Sequence, residues 1–184
     1  MAFGWEGRKV RLVPLDKEKH LANAVAWLND PEVTEWTLIG DTPIGRLAEE
    51  KFFDRAAGGE PSEVTFAVET LAGEHVGFTG LHRIDYRHGA AHTGSIIGRK
   101  DLWRRGLGTD LARTRTRYAF EVLGLRLLLS EALADNEGSI RMLKRCGYAE
   151  VGRVPRRYFK RGAYRDAILF ALERDEGARG EGRR

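Results

Sequence analysis

The 184-residue chain has one cysteine, Cys146, so no disulfide framework can form within it, and a reducing, cytoplasmic compartment is the expectation. No apolar run approaches the roughly 20 residues that a bilayer-crossing helix requires. Around Trp5, Glu6, Arg8 and Lys9 the N-terminal segment lacks the apolar centre of a secretory signal. No membrane partner is expected, and no metal. Neither sign of charge dominates: the formal net charge is +4, with arginines gathered over 99–117, 141–161 and the tail. Nucleic-acid motif signatures are missing, so these clusters read as solvated faces or a site for a small anion, and no stable nucleic-acid partner is expected. Internal repeats and long linkers are absent too. One domain over residues 1–174 is expected, followed by a flexible C-terminal tail over 175–184, rich in glycine and charge.

What is present is an ordered succession of short elements. Alternation over Arg11 to Leu15 predicts a strand, and Asp16 then caps a helix over Lys17 to Leu28. Asn29-Asp30-Pro31 breaks that helix, and Pro43 starts another that ends at Gly58-Gly59. Val64 to Val68, Glu74 to Tyr86 and Ala90 to Gly98 read as an antiparallel meander. A helix over Asp110 to Leu123, a strand over Leu125 to Leu133, a short helix from Asn136 to Arg145, and a last strand pair (Tyr148 to Val154, Tyr164 to Leu172) complete the chain. The order predicts an α/β (α+β) fold with one mixed, mostly antiparallel sheet of about seven strands flanked by helices.

Between the meander and the next helix lies Trp103-Arg104-Arg105-Gly106-Leu107-Gly108-Thr109. At such a strand-to-helix junction the first N–H groups of the helix have no internal partner and the helix dipole adds positive potential, so an anion can dock there. Gly106 and Gly108 present no Cβ to obstruct a ligand, and Arg104 and Arg105 add charge. A phosphate or pyrophosphate is the implied ligand. An ordinary tight turn has the same glycine spacing, and the Lys-Ser/Thr of a nucleoside-triphosphate loop is absent.

The order of elements, this loop, and Asn136 opening the short helix together resemble the GCN5-related N-acetyltransferase (GNAT) superfamily over nearly the whole chain. Ala26 to Val33, Ile97 to Thr109, Asn136-Glu137-Gly138-Ser139-Ile140, Cys146-Gly147-Tyr148 and Gly162 to Asp166 are similar to its RimJ/RimL-like branch of ribosomal-protein N-terminal and spermidine acetyltransferases. The superfamily loop, Q/R-x-x-G-x-G/A, is matched by Gly106 and Gly108. Trp103 takes the Gln/Arg position, and Arg104 stands where glycine is common. The resemblance implies a splayed sheet and acetyl-CoA, leaving as CoA, bound along Ile97, Gly98, Arg104, Arg105, Gly106, Leu107, Gly108, Thr109, Asn136 and Ser139. Its thioester would lie between Ser95 to Gly98 and Leu129 to Leu133.

The implied activity is direct transfer of the acetyl group to a primary amine, of a small molecule or a protein N-terminus, in a ternary complex. His92 aligns where relatives place a glutamate base; it reads equally as a surface histidine. Glu131, a second base or amine-binding candidate, would sit across the splay unless it faces solvent. His82, Asp85 and Tyr86 are reserves. Ser139 could bond cofactor or a water near the sulfur, or simply pack. Where relatives place a tyrosine acid, alignment puts Leu143, which cannot donate a proton. Cys146 reads as core. Trp27, Trp36, Phe52 and Phe53 fall in the helices that roof the acceptor groove, with Glu32, Glu35, Asp41, Glu49 and Glu50 nearby. A catalytically silent acyl-CoA sensor on the same fold is the alternative reading, and a homodimer is allowed.

Overall fold

The computed structural model describes residues 5–175. In chain order the elements are β1 (Trp5–Glu6), β2 (Val10–Val13), α1 (Lys17–Leu28), α2 (Pro31–Thr34), α3 (Arg46–Ala57), β3 (Glu63–Thr70), β4 (His75–Asp85), β5 (Ala90–Ile97), α4 (Leu107–Arg117), β6 (Leu127–Leu133), α5 (Glu137–Arg145), β7 (Ala149–Lys160) and β8 (Ala163–Glu173). Eight strands form one sheet in the order β1-β2-β3-β4-β5-β6-β8-β7. The eighth strand, beyond the seven read from sequence, is β1, whose two residues are too short to show a period. Two boundaries also move. Asp30 accepts from the Glu32 N–H and caps the short α2, so the Asn-Asp-Pro break is itself a helix start. The helix placed from Asp110 begins at Leu107 and ends in a π-type turn, Tyr118–Val122. Of the tail assigned to 175–184, all but Asp175 lies outside the described residues.

Alternation sorts the strands onto two faces. Val10, Leu12, Phe66, Val68, Leu81, Ala91, Leu128 and Phe170 form one buried face under Leu107, Leu111 and Leu143 of α4 and α5. On the opposite face α1 and α3 pack Leu21, Ala24 and Phe53 against Phe78 of β4. Asp16 caps α1 through the N–H groups of Glu18 and Lys19, at 2.9 and 3.2 Å, a contribution of ~1 kcal/mol.

All neighbours in the sheet are antiparallel except β5 and β6. This parallel pair matches Ala90 with Leu127, Ala91 with Leu128 and His92 with Leu129, and then stops. Both strands run on, β5 to Ile97 and β6 to Leu133. The sheet is therefore forked at its middle, and the fork opens toward the N-termini of α4 and α5.

Candidate active site

The turn before α4 has the conformation its glycines permit. Gly106 caps the helix at φ +82°, with no side-chain hydrogen bond to the first turn. Arg104 takes φ +63°, a left-handed geometry uncommon for a residue with a Cβ. A Cβ added at Gly108 would meet nothing nearer than Met142 Cγ at 4.0 Å, so the side facing out from the first turn is open. Asp110, the one acid in that turn, is turned away from the opening. Its carboxylate accepts from the N–H groups of Arg8, Lys9 and Val10 at 3.1, 2.7 and 3.1 Å. Lys9 Nζ donates to the Arg105 carbonyl at 2.7 Å, adding a third cation beside Arg104 and Arg105. Sequence reading missed Lys9, because nothing local predicts its pairing with a turn about a hundred residues later. An uncapped helix start under three cations suits a diphosphate.

The fork supplies the rest of the cradle. Gly98 N–H donates to the Val76 carbonyl, so with the antiparallel register of β4 and β5 the peptide groups of Ser95 and Ile97 point away from β4, into the gap. Across it, Ala134 N–H donates to Asp166, so Glu131 and Leu133 likewise turn their peptide groups from β8 into the gap. Some are used locally: the Ile97 carbonyl accepts from Trp103 Nε1 at 2.8 Å, and the Leu133 carbonyl from Asn136 N–H. The remainder form two facing rows of the kind an extended amide chain can complete. The indole of Trp27 covers Gly98, where an added Cβ would lie 1.8 Å from Trp27 Cδ2.

On the α1/α3 face a polar row crosses the sheet at the fork. Glu63, His82 and His92 are consecutive cross-strand partners, and His92 belongs to the last pair before β5 and β6 separate. His82 Nδ1 donates to Glu63 at 2.8 Å, and its ring lies over Gly80 and Gly94. His92 is exposed, and its imidazole is held below the usual histidine range, first by partial desolvation and then by the Arg83 guanidinium, against the pull of Glu131. Glu131 does face this cleft, but it is bound to Arg157 at 2.5 Å. Arg157 also donates to the Tyr158 hydroxyl at 3.2 Å, and burial, with Glu131 adding to it, keeps that phenol protonated above its usual range. Neither Arg157 nor Tyr158 was singled out from sequence, since β7 was expected to end at Val154. It continues past an irregularity to Lys160.

The other expected residues are placed as follows. Asn136 caps α5 by accepting from Ser139 N–H at 3.0 Å, and its Nδ2 donates to the Trp36 carbonyl at 3.1 Å. Ser139 is half-buried in the first turn of α5, Leu143 is buried in the core, and Cys146, with its thiol pushed up by burial, packs against that core. Phe53 is core, whereas Trp36 is exposed with the Arg165 guanidinium 5.6 Å from its ring centre. The acids near the roof are largely engaged. Glu32 pairs with Lys100, Glu35 with Arg165, Asp41 with Lys160 and Glu50 with Arg46, while Glu49 is buried. Lys160, itself buried, and Arg161 donate to Ile39 and Pro31 and so tie the roof segment to the far side of the fork. Asp85 accepts from the His88 N–H in the β4–β5 turn, and Tyr86 is exposed beside it.

Comparison with known proteins identifies the family and the fold. A family model described as an acetyltransferase (GNAT) domain matches residues 9–149. Spermidine N(1)-acetyltransferase of Escherichia coli is 32% identical over 113 residues, which span 61% of this chain and 60% of that protein. A GCN5-related N-acetyltransferase from Brucella melitensis superimposes with a TM-score of 0.74 at 29% identity, covering 94% of this chain and 79% of that one. A spermidine N-acetyltransferase from Vibrio cholerae, solved with CoA and spermine, gives a TM-score of 0.81 over 89% of this chain and 95% of that one; its 20% identity speaks for the fold alone.

Proposed function

The chain belongs to the GNAT acetyltransferase family, and from that premise we propose that it is an acetyl-CoA-dependent N-acetyltransferase that moves the acetyl group directly to a primary amine in a ternary complex. The observation that carries the reading is continuity: an uncapped, cation-flanked helix start opens onto a gap lined by peptide groups, and the gap closes on His92. Bound acetyl-CoA supplies the activated acetyl thioester. The N–H groups at the first turn of α4, with Lys9, Arg104 and Arg105, hold the diphosphate. The peptide groups of Ser95, Ile97 and Glu131 align the pantetheine, and an N–H on β5 polarises the thioester carbonyl. His92, kept neutral near pH 7, accepts the proton of the attacking amine, directly or through one water. His82 stands one strand farther from the fork, its Nδ1 engaged by Glu63.

The acceptor we propose is the α-amine of a peptide or a small monoamine. A polyamine requires carboxylates free to meet its charges, and here Glu131 is neutralised by Arg157 while Glu63 serves His82. Spermidine is the substrate named for the Escherichia coli and Vibrio cholerae relatives, so it is the informative competitor. Incubation with labelled acetyl-CoA and a panel of N-terminal peptides, monoamines and spermidine, read by mass spectrometry, should label a peptide or monoamine faster than spermidine. Tight CoA binding with no acceptor turned over would instead favour the silent sensor, the reading suggested by buried Leu143 at the acid position.

A further inference from the structure

Arg115 of α4 is 1% exposed, among the most buried side chains of the described residues, and no carboxylate accompanies it. Its Nη1 donates to Ser95 Oγ at 2.7 Å, Thr79 Oγ1 at 3.0 Å and the Gly94 carbonyl at 3.0 Å, and its Nε has no partner. Burying a guanidinium against neutral oxygens alone is costly, and a hydrophobic residue would fill the space more cheaply. The charge is aimed at one place. Ser95 lies on β5 beyond its last pair with β6, on the α4/α5 face through which a ligand held at the α4 turn must enter the gap, and Ser95 is exposed.

The hydrogen-bond inventory fixes what Ser95 can do. Arg115 has only donors, so Ser95 Oγ accepts from it. Thr79 can direct its own proton to the Gly94 carbonyl at 3.0 Å. Ser95 then keeps its proton for Thr79 Oγ1, 2.9 Å away, or for a better acceptor arriving in the gap. A hydroxyl that accepts from a cation is a stronger donor, and a positive charge behind it in a dry interior is only weakly screened.

Resting on the acetyltransferase reading above, we propose that Ser95 donates its hydrogen bond to the thioester sulfur and that Arg115 is the positioning residue that strengthens this bond. When the amine attacks the carbonyl carbon and the C–S bond breaks, the electron pair goes to sulfur. Ser95 keeps its proton, and its hydrogen bond, backed by Arg115, holds the thiolate. The strand thereby supplies what Leu143 on α5 cannot.

The test uses CoA, 13C-labelled beside its sulfur, bound to the full chain, with the thiol titrated by NMR. In the wild-type protein the bound thiol should carry about tenfold more thiolate at pH 7 than free CoA, a shift of one unit in its titration. Ser95→Ala and Arg115→Met should return it toward the free value with CoA affinity changed less than threefold. Both variants should lower kcat more for acetyl-CoA than for an acetyl thioester of a more acidic thiol. Ser95→Ala leaves Arg115 Nη1 its bonds to Thr79 and the Gly94 carbonyl, so it decides the matter if Arg115→Met fails to fold. A bound thiol that titrates like free CoA, or one unmoved by Ser95→Ala, overturns the assignment and leaves the acetyltransferase reading standing. Failure of the wild-type chain to bind CoA at all removes both.

Discussion

Replacing Gly106 by alanine and Gly108 by leucine, one at a time, separates the two things that the turn does. Gly106 sits at φ +82°, where a Cβ costs ~1–2 kcal/mol, and the new methyl would also press on Lys9 Nζ at 3.3 Å. Gly106→Ala should therefore lower the unfolding free energy by about that amount. Gly108 has ordinary helical geometry, and its Cβ would find only Met142 Cγ at 4.0 Å. Gly108→Leu should leave stability unchanged or raise it by up to ~1 kcal/mol. The isobutyl group nevertheless projects into the opening and keeps a diphosphate from close approach to the amides, which the alanine allowed by the superfamily loop would not. A charge-assisted hydrogen bond is worth ~1.5–3 kcal/mol, so loss of one raises the CoA Kd about tenfold or more. Urea denaturation gives the stabilities and isothermal titration with CoA the affinities. If Gly108→Leu folds as expected and binds CoA within twofold of the parent, the diphosphate does not lie on this turn.

Because the imidazole of His92 is held below the usual histidine range, the acid limb of kcat/KM should fall below pH 6.5. His92→Ala should lower kcat about a hundredfold or more and remove that limb; a pH–rate profile of unchanged shape dismisses His92 as the base. His75, buried with Nε2 donating to Gly77 and Nδ1 accepting from Asn23, has its pKa depressed from 6.5 to about 4, chiefly by burial. The unfolded chain binds a proton below pH 6.5 that the folded chain refuses, so stability is lost as pH falls. The loss reaches ~2.5 kcal/mol between pH 7 and 4.5, and Glu69, whose carboxyl is held low in the fold, adds a loss of the same sign from about pH 5 downward. His75→Phe should flatten that slope in denaturant melts, and an equally steep slope would clear His75.

The fold and the conformation of the turn before α4 were legible because their causes are local. Asp16 caps what it was expected to cap, and the glycines at 106 and 108 sit where a turn into a helix needs them. The acceptor side was less legible because its chemistry is made by pairings distant in sequence. That Glu131 faces the cleft follows from alternation, but its neutralisation depends on Arg157, displaced onto it by the irregularity in β7. Arg115 lies in a helix stretch reading T-R-T-R, which looks like a solvated stripe; only its bonds to Thr79 and Ser95 on the sheet show that one of those arginines points inward.

The carboxylate of Asp110 makes the extreme N-terminal hairpin a structural foundation for the turn at 104–109. The sheet's shortest strand is thus coupled to the first turn of α4. Trimming the chain as far as Arg8 would remove Trp5 from the core together with one donor to Asp110, and deletion up to Val10 would leave that carboxylate without the three N–H groups it accepts from.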